Sequence, residues 1–382
     1  MEGDWDAIVV GASFGGLAAA MELVGAGRVL LIDRQPVGEG ETSACGTLLR
    51  VLERLDALDA LQQSHEEIVL HLAGDKIYRF RPTYAFATFD YRRLCEILRA
   101  RTDASFLQTS VTGMTDGAVL TRAGSFRSPV VIDVSGWRAA LGSPGARNLG
   151  SGPASSLGVE LRLPVRDEGP HFWVLPLQIG CGVTWLFPAG DESRVGIACC
   201  LGKGGLKNGL EEFLEEFLDE CPAAGELHGG FFPSRLRDPI AGSVFLVGDA
   251  AGQCLSLTGE GIRPALVFGQ AAGRLARRSL DGQSALPEAL SAYRRMVLSR
   301  RPHYSLLRVL QRGVLRAPRR GPRSSPGCSA TASCRVRPSA PTGGSLTAIR
   351  CGSDMAGTRR EPAIPSSELG WRQQNEAALG RC

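Results

Sequence analysis

Hydrophobic positions along this chain fall into two rhythms. Asp6-Ala-Ile-Val-Val10 is a β-branched run that enters a glycine turn, Leu17–Leu23 continues with small apolar residues at helical spacing, and Val29-Leu-Leu-Ile32 is a second buried run. Strand, turn, helix and strand in that order predict the opening of a doubly wound sheet. Leucines at 48, 49, 52, 55, 58 and 61 predict an amphipathic helix over 47–62, and Leu94, Ile97 and Leu98 predict another over 90–101. Val130–Val134 reads as a buried strand ending in Ser135-Gly136. From 157 to 200 the pattern changes to short alternating runs broken by Gly and Pro, the mark of antiparallel strands in a second domain. Leu210, Phe213, Leu214, Phe217 and Leu218 form one stripe of a helix whose other face is acidic. Val244–Val247 is again a strand, followed by glycine-rich chain and a helix over 262–280.

No period survives beyond about 317, where Pro, Ser, Gly, Arg, Thr and Cys dominate. Such a segment cannot bury a core, so 317–382 reads as a disordered tail or one translated out of frame. Charge divides at the same place. The chain carries a net charge of +4, yet from Arg316 on there are 11 arginines, no lysine and 4 acids, leaving 32 basic against 35 acidic residues before it. The body therefore has no basic footprint for nucleic acid. The tail suits anionic lipid headgroups, so a peripheral membrane contact stands beside the plainer reading of an inert extension.

The 382 residues with 48 glycines and 43% hydrophobic positions suit a soluble α/β protein of two or three domains. Eleven cysteines without a CxxC pair, and five scattered histidines, suggest neither a disulfide framework nor a metal site. The acidic N-terminus lacks the positive charge of a secretory signal, and residues 7–27 are interrupted by Ser13 and Glu22. The expectation is a cytoplasmic protein.

Two motifs carry chemistry. In Gly11-Ala-Ser13-Phe14-Gly15-Gly16, Gly11 can make the tight turn, Gly16 permits close helix packing, and the helix N-terminus faces a pyrophosphate. Ser13 occupies the place of the usual second glycine and could donate to phosphate. Asp33 stands at the end of the second strand, where a carboxylate accepts ribose hydroxyls, and Arg34 can pack on adenine. The second motif is Phe245-Leu-Val-Gly248-Asp249-Ala-Ala-Gly252, then Leu257-Thr-Gly259-Glu-Gly261-Ile262 and a small-residue helix. An aspartate at a strand end can accept a polyol hydroxyl, and the glycine loop brings amides and a helix N-terminus to a ring or phosphate.

Together these motifs resemble the FAD-dependent oxidoreductases of the para-hydroxybenzoate-hydroxylase plan, and within it the geranylgeranyl reductase and FixC-like family, over about residues 1–300. Further residues resemble that family. Ser43-Ala-Cys45-Gly46 matches its Cys-Gly element beside the flavin ring, Phe89-Asp90 with Leu94 its FD-x-x-L helix, Asp133-Val-Ser135-Gly136 its D-x-S-G turn, and Trp185-Leu-Phe187-Pro188 its YxWxFP signature. Val183 replaces the family tyrosine, and the tail replaces the family's last helices.

The resemblance implies an α/β fold with a Rossmann-like FAD-binding domain from 1–64, 88–138 and 239–282. An interleaved antiparallel substrate domain would come from 65–87 and 139–238, with truncated C-terminal helices over 283–316. It implies FAD contacts from Gly11, Ser13, Phe14, Gly15, Gly16, Asp33, Arg34, Cys45, Gly46, Arg93, Gly248, Asp249, Gly259, Gly261 and Ile262. Cys45 and Trp185 are the candidate catalytic residues, set against the plainer readings of a small buried hydrophobe and of sheet core. Arg93 is either a pyrophosphate contact or half of a surface ion pair. The implied activity is hydrogenation of C=C bonds in a hydrophobic polyprenyl substrate, with NAD(P)H or ferredoxin as electron donor. A monooxygenase acting on an aromatic or polyketide-like substrate is the alternative, and an inactive flavin-binding remnant the second. A halogenase fits less well, because no WxWxIP stretch occurs.

Overall fold

A computed structural model describes residues 5–72, 76–142, 155–174, 182–200, 205–217, 226–233 and 235–316. The expected tail and Leu218 lie outside the described residues. Two sheets dominate. The first has the order Ile240–Ala241, Val244–Leu246, Val130–Asp133, Ala7–Val10, Val29–Asp33, Ser105–Gln108. Its last five strands run parallel and only Ile240–Ala241 is antiparallel. The apolar runs at 7–10, 29–32 and 130–133 are buried on both sides, as parallel strands must be. Helices Phe14–Met21, Tyr91–Arg99, Ile262–Leu280 and Leu286–Leu298 cover one face. The antiparallel strands Val111–Thr115, Ala118–Thr121 and Gly124–Arg127 cover the other through Val119 and Phe126.

The second sheet has seven strands in the order His228–Pro233, Ser155–Leu163, Glu192–Cys200, Val183–Ala189, His171–Val174, Ile68–Leu72, Lys76–Phe80. Leu157, Val159, Leu161, Val195 and Ile197 pack on helix Leu206–Phe217 through Leu210, Phe213 and Leu214. Strand alternation then sends Gly158, Glu160, Trp185, Phe187, Arg194 and Gly196 to the opposite face. A small sheet of Gly46–Leu48, Phe86–Phe89 and Leu61–His65 joins the two large ones. There the Thr88 hydroxyl donates to the Pro188 carbonyl at 2.6 Å.

The helix expected over 47–62 is shorter. It spans Leu49–Arg54, then a 3-10 turn at Leu58–Ala60 leads into a strand. Asp56 turns left-handed at φ 46°, Ala57 N–H reaches back to Leu52 O at 2.9 Å, and Arg101 donates to the Leu55 and Asp56 carbonyls. The side chain of Arg101 thus caps a helix that leucine spacing alone would extend. Helix Ile262–Leu280 matches its expected limits, and the helix expected at 90–101 runs Tyr91–Arg99 behind an Asp90 cap.

Helices Phe14–Met21 and Ile262–Leu280 touch backbone to backbone. A Cβ at Gly269 would stand 2.2 Å from Gly15 O, one at Gly273 2.5 Å from Ala19 O, and one at Gly16 1.7 Å from Gly11 O. Gly269→Ala is therefore expected to lower the thermal midpoint by about 5 °C or more. Gly313→Ala, where nothing lies within 4 Å, should leave the midpoint level or slightly raised in the same fluorimetric melt. Equal losses at both positions would refute this account of Gly269.

Candidate functional site

The glycine turns lie together at the C-terminal ends of the parallel strands, where such sheets bind ligands. Gly11 has φ 106°, and a Cβ there would meet Val134 O at 2.4 Å. Ser13 precedes the helix in extended conformation and its side chain makes no capping bond. The Tyr91 hydroxyl, 3.2 Å away, donates to Ser13 Oγ, which leaves the serine proton for another acceptor. Phe14 is buried edge-on to Phe89 and Tyr91, at 5.8 and 5.1 Å between centroids. No acidic residue occupies the helix's first turn.

Asp33 completes this turn. Its Oδ2 accepts from Ala12 N–H at 2.7 Å and its Oδ1 from Gln35 N–H at 3.0 Å, so each oxygen keeps a further lone pair. Arg34 follows it. Burial, then the nearby charge of Arg34, lowers the pKa of Arg138, so two guanidiniums share this end of the sheet. Arg93 lies at the surface instead, paired with Asp59 at 3.5 Å and Glu96 at 3.7 Å.

The second turn is braced from behind. Gly248 and Gly252 have φ of 64° and 68°, and a Cβ at Gly252 would stand 2.0 Å from Arg235 O. Gln253 Oε1 accepts from Gly248 N–H at 2.7 Å, its Nε2 donates to Tyr293 Oη, and Tyr293 donates to Leu246 O. Gly259 has φ 68°, and Gly261 leads into the helix that begins at Ile262. The two motifs meet through this helix. A Cβ at Gly15 would lie 3.1 Å from Ala265 O, and one at Gly248 3.5 Å from Ala265 Cβ. Asp249 lies here, about 3.9 Å from where a Gly261 Cβ would be. Burial lifts its carboxyl pKa to about 6, with Arg237 pulling the other way.

A buried charged cluster adjoins these turns. Cys45, without exposed surface and left-handed at φ 49°, donates from its thiol to Glu41 Oε1 at 2.9 Å. Burial first, then the carboxylates of Glu41 and Glu160, push the Cys45 pKa well up against the pull of Arg194, so it stays a thiol. Burial works against the Glu41 carboxylate, but Arg194, the Cys45 thiol and Arg162 hold its pKa below the ordinary value. Arg194 Nη1 donates to Glu41 at 2.6 Å and Glu160 at 3.2 Å, and Arg162 donates to Glu41 at 2.6 Å. Trp185 Nε1 donates to Glu160 Oε2 at 2.8 Å, and His228 Nε2 lies 3.2 Å from Oε1. Gly46 meets the aromatic wall, since a Cβ there would stand 2.4 Å from the Phe86 ring and 3.1 Å from Phe187.

The arrangement brings together Gly11 to Gly16, Asp33, Gly248, Asp249, Gly259, Gly261 and Ile262, with Cys45, Gly46 and Trp185 at the junction of the sheets. It does not bring in Arg93. Sequence reasoning singled out none of Glu41, Glu160, Arg194 and His228 as site residues. The available signal was a charged residue at alternate positions inside apolar strands: Glu160 between Val159 and Leu161, and Arg194 before Val195-Gly-Ile197.

The residues present fit a dinucleotide laid across the strand ends. A serine proton, a helix N-terminus free of acids and a pair of arginines suit a diphosphate. Asp33 has acceptor capacity left, and Gly136 and Gly259, both at positive φ, leave room that a side chain would fill. Among the described residues no helix is long and apolar enough to cross a membrane, and no cluster of three His, Cys, Asp or Glu groups could hold a metal ion.

No protein-family model matches the chain. Its fold is that of the FAD-binding flavoproteins. A geranylgeranyl bacteriochlorophyll reductase-like protein from Thermoplasma acidophilum is similar over 83% of this chain and 89% of its own, with TM-score 0.73 and 18% identity. The flavin-dependent brominase Bmp2 is similar over 81% and 87%, with TM-score 0.64 and 14% identity. PqsL, a probable FAD-dependent monooxygenase from Pseudomonas aeruginosa, is similar over 82% and 96%, with TM-score 0.57 and 18% identity.

Asp249 gives a test of the site's electrostatics without any ligand. Between 3.8 and about 6 the folded chain keeps a proton that the unfolded chain has lost, so this group's contribution to stability falls as pH rises through that window. Asp249→Asn is expected to melt above the native chain at pH 8 and level with it near pH 4. A pH-independent difference in the melts would show that Asp249 is not the titrating group.

Proposed function

We propose that the chain is an FAD-dependent oxidoreductase, and that it acts as a geranylgeranyl-reductase-like enzyme on C=C bonds of a hydrophobic, polyprenyl-type substrate. One observation carries this reading: two glycine turns and two aspartates from distant parts of the chain converge at one sheet edge, beside a wall of Trp185, Phe187, Phe172 and Phe86. The reductase-like structural neighbour supports it too, as do the motifs around Cys45 and Trp185.

FAD supplies hydride-transfer chemistry when bound. The chain's own residues hold and orient. Asp33 would accept ribose hydroxyls, Ser13 and the N–H groups of Phe14–Gly16 would meet the diphosphate, and Asp249 would accept a hydroxyl of the linking polyol. Gly259, Gly261 and the start of the helix at Ile262 would meet the ring. The Cys45-Gly46 turn and the aromatic wall that includes Trp185 would orient an apolar chain beside the flavin and keep water away. The electron donor, NAD(P)H or ferredoxin, would act from outside this site.

Purified protein is expected to be yellow, or to take up FAD on titration with the absorption bands of a bound flavin. Asp33→Ala should weaken that uptake by about tenfold or more, the worth of two charge-assisted hydrogen bonds. A colourless chain that takes up no FAD would sink the flavoprotein reading. Product mass separates the chemistries: a gain of two hydrogens marks the reductase, a gain of oxygen the monooxygenase, and an unchanged substrate the remnant.

A further inference from the structure

Arg194 has no exposed surface, yet part of its guanidinium is unused. Nη1 donates to Glu41 at 2.6 Å and Glu160 at 3.2 Å, with the Ser43 carbonyl at 3.5 Å. Nε and Nη2 have no hydrogen-bond partner among the described residues. These two atoms form the side edge of the fork, the edge that grips one acceptor or a planar pair. Buried donors left unpaired are costly and are uncommon in folded proteins, so a pair on one edge calls for something to receive it.

Charge decides what that is. Arg194 and Arg162 already balance Glu41 and Glu160, and Glu160 holds Trp185 and His228 as well. An anion at the free edge would bring a third negative group close to the carboxylates of Glu41 and Glu160. A neutral oxygen would take both N–H groups without that repulsion. The surroundings decide the rest of the ligand. Phe86, Phe172 and Phe187 pack within 5.0–6.5 Å of one another and Trp185 continues the wall at 6.2 Å. Trp185 lies flush on Gly196, where a Cβ would stand 2.2 Å from the indole, so the sheet face beside Arg194 stays low.

We propose that Arg194 is a substrate-recognition residue whose free Nε/Nη2 edge receives a neutral carbonyl-type oxygen carried by an otherwise apolar substrate. The proposal rests on the reading of this sheet face as the substrate wall, and it narrows the substrate class from any apolar alkene to one with an oxygen acceptor near the reacting part.

Three probes of one size test it by calorimetric titration at pH 8, with the flavin-free chain and after FAD addition: 2-acetylnaphthalene, 2-ethylnaphthalene and 2-naphthoate. The ketone should bind about tenfold tighter than the ethyl compound, as expected for buried bonds from a charged donor, and tighter than the carboxylate. Arg194→Met should erase the ketone's advantage over 2-ethylnaphthalene. Arg194→Lys, which keeps the charge and loses the edge, should erase most of it. Equal binding of ketone and ethyl compound to the native chain overturns the proposal even where neither variant folds. So does tightest binding of the carboxylate, failure of all three probes to bind, or an undiminished ketone preference in Arg194→Met. Loss of FAD uptake by Arg194→Met without any ketone preference in the native chain would give the edge to the flavin and also overturns it. Absence of FAD uptake alongside an intact ketone preference would refute the flavoprotein reading and leave the Arg194 assignment standing.

Discussion

Everything at the candidate site depends on one close approach between two helices. Phe14–Met21 and Ile262–Leu280 start some 250 residues apart, yet Gly15 faces Gly269 and Ala19 faces Gly273 with no space for a side chain between them. That contact fixes where the second helix begins relative to the first strand. It therefore fixes where Gly259, Gly261 and Asp249 stand relative to Gly11, Ser13 and Asp33. A βαβ unit by itself supplies only the first of the two glycine turns. The second stands beside it because small residues let helix Ile262–Leu280 lie down on Phe14–Met21, while Tyr293 from the following helix ties Leu246 and Gln253 behind the second turn.

The parts readable in the sequence were those whose signal is local. Buried strands at 7–10, 29–33 and 130–133 announce themselves as unbroken apolar runs because both of their faces are covered. Helix 262–280 was readable because its small residues and its period agree. The leucine series from 48 to 61 misled for a physical reason: periodicity reports burial, not the element that does the burying. Leu52 and Leu55 are buried, Leu58 is half exposed, and Arg101, distant in sequence, closes the helix after Arg54. Sheet pairing was equally hidden. Nothing near His171–Val174 announces that it lies parallel to Ile68–Leu72, because that partnership is set by how two separate stretches of chain meet.

The site was legible to the same degree. Turns that need glycine and carboxylates at strand ends are local features, and they came out of the sequence with their numbers. The cluster around Arg194 did not, because it is assembled from a loop at 41–45 and from four strands that are neighbours only once the sheet has formed. For Arg93 the sequence offered a pyrophosphate contact or a surface ion pair, a choice that depends on helix phase, and the structure pairs it with Asp59 and Glu96.

The charged cluster also bears on how the two sheets hold together. Apolar contact would do that at least as well, since removing two ion pairs from water costs as much as their attraction returns in many measured cases. What apolar contact cannot do is fix a loop in one orientation. Glu41 reaches from the loop that carries Cys45 and meets Arg194 and Arg162 on the opposing sheet, so the left-handed Cys45 and the Gly46 that follows are held against Phe86 and Phe187 in a single register. The strained residue, the buried thiol and the partly used guanidinium are then parts of one arrangement. Its cost in desolvation is spread over the interface, and its benefit is a defined geometry where the glycine turns face the aromatic wall.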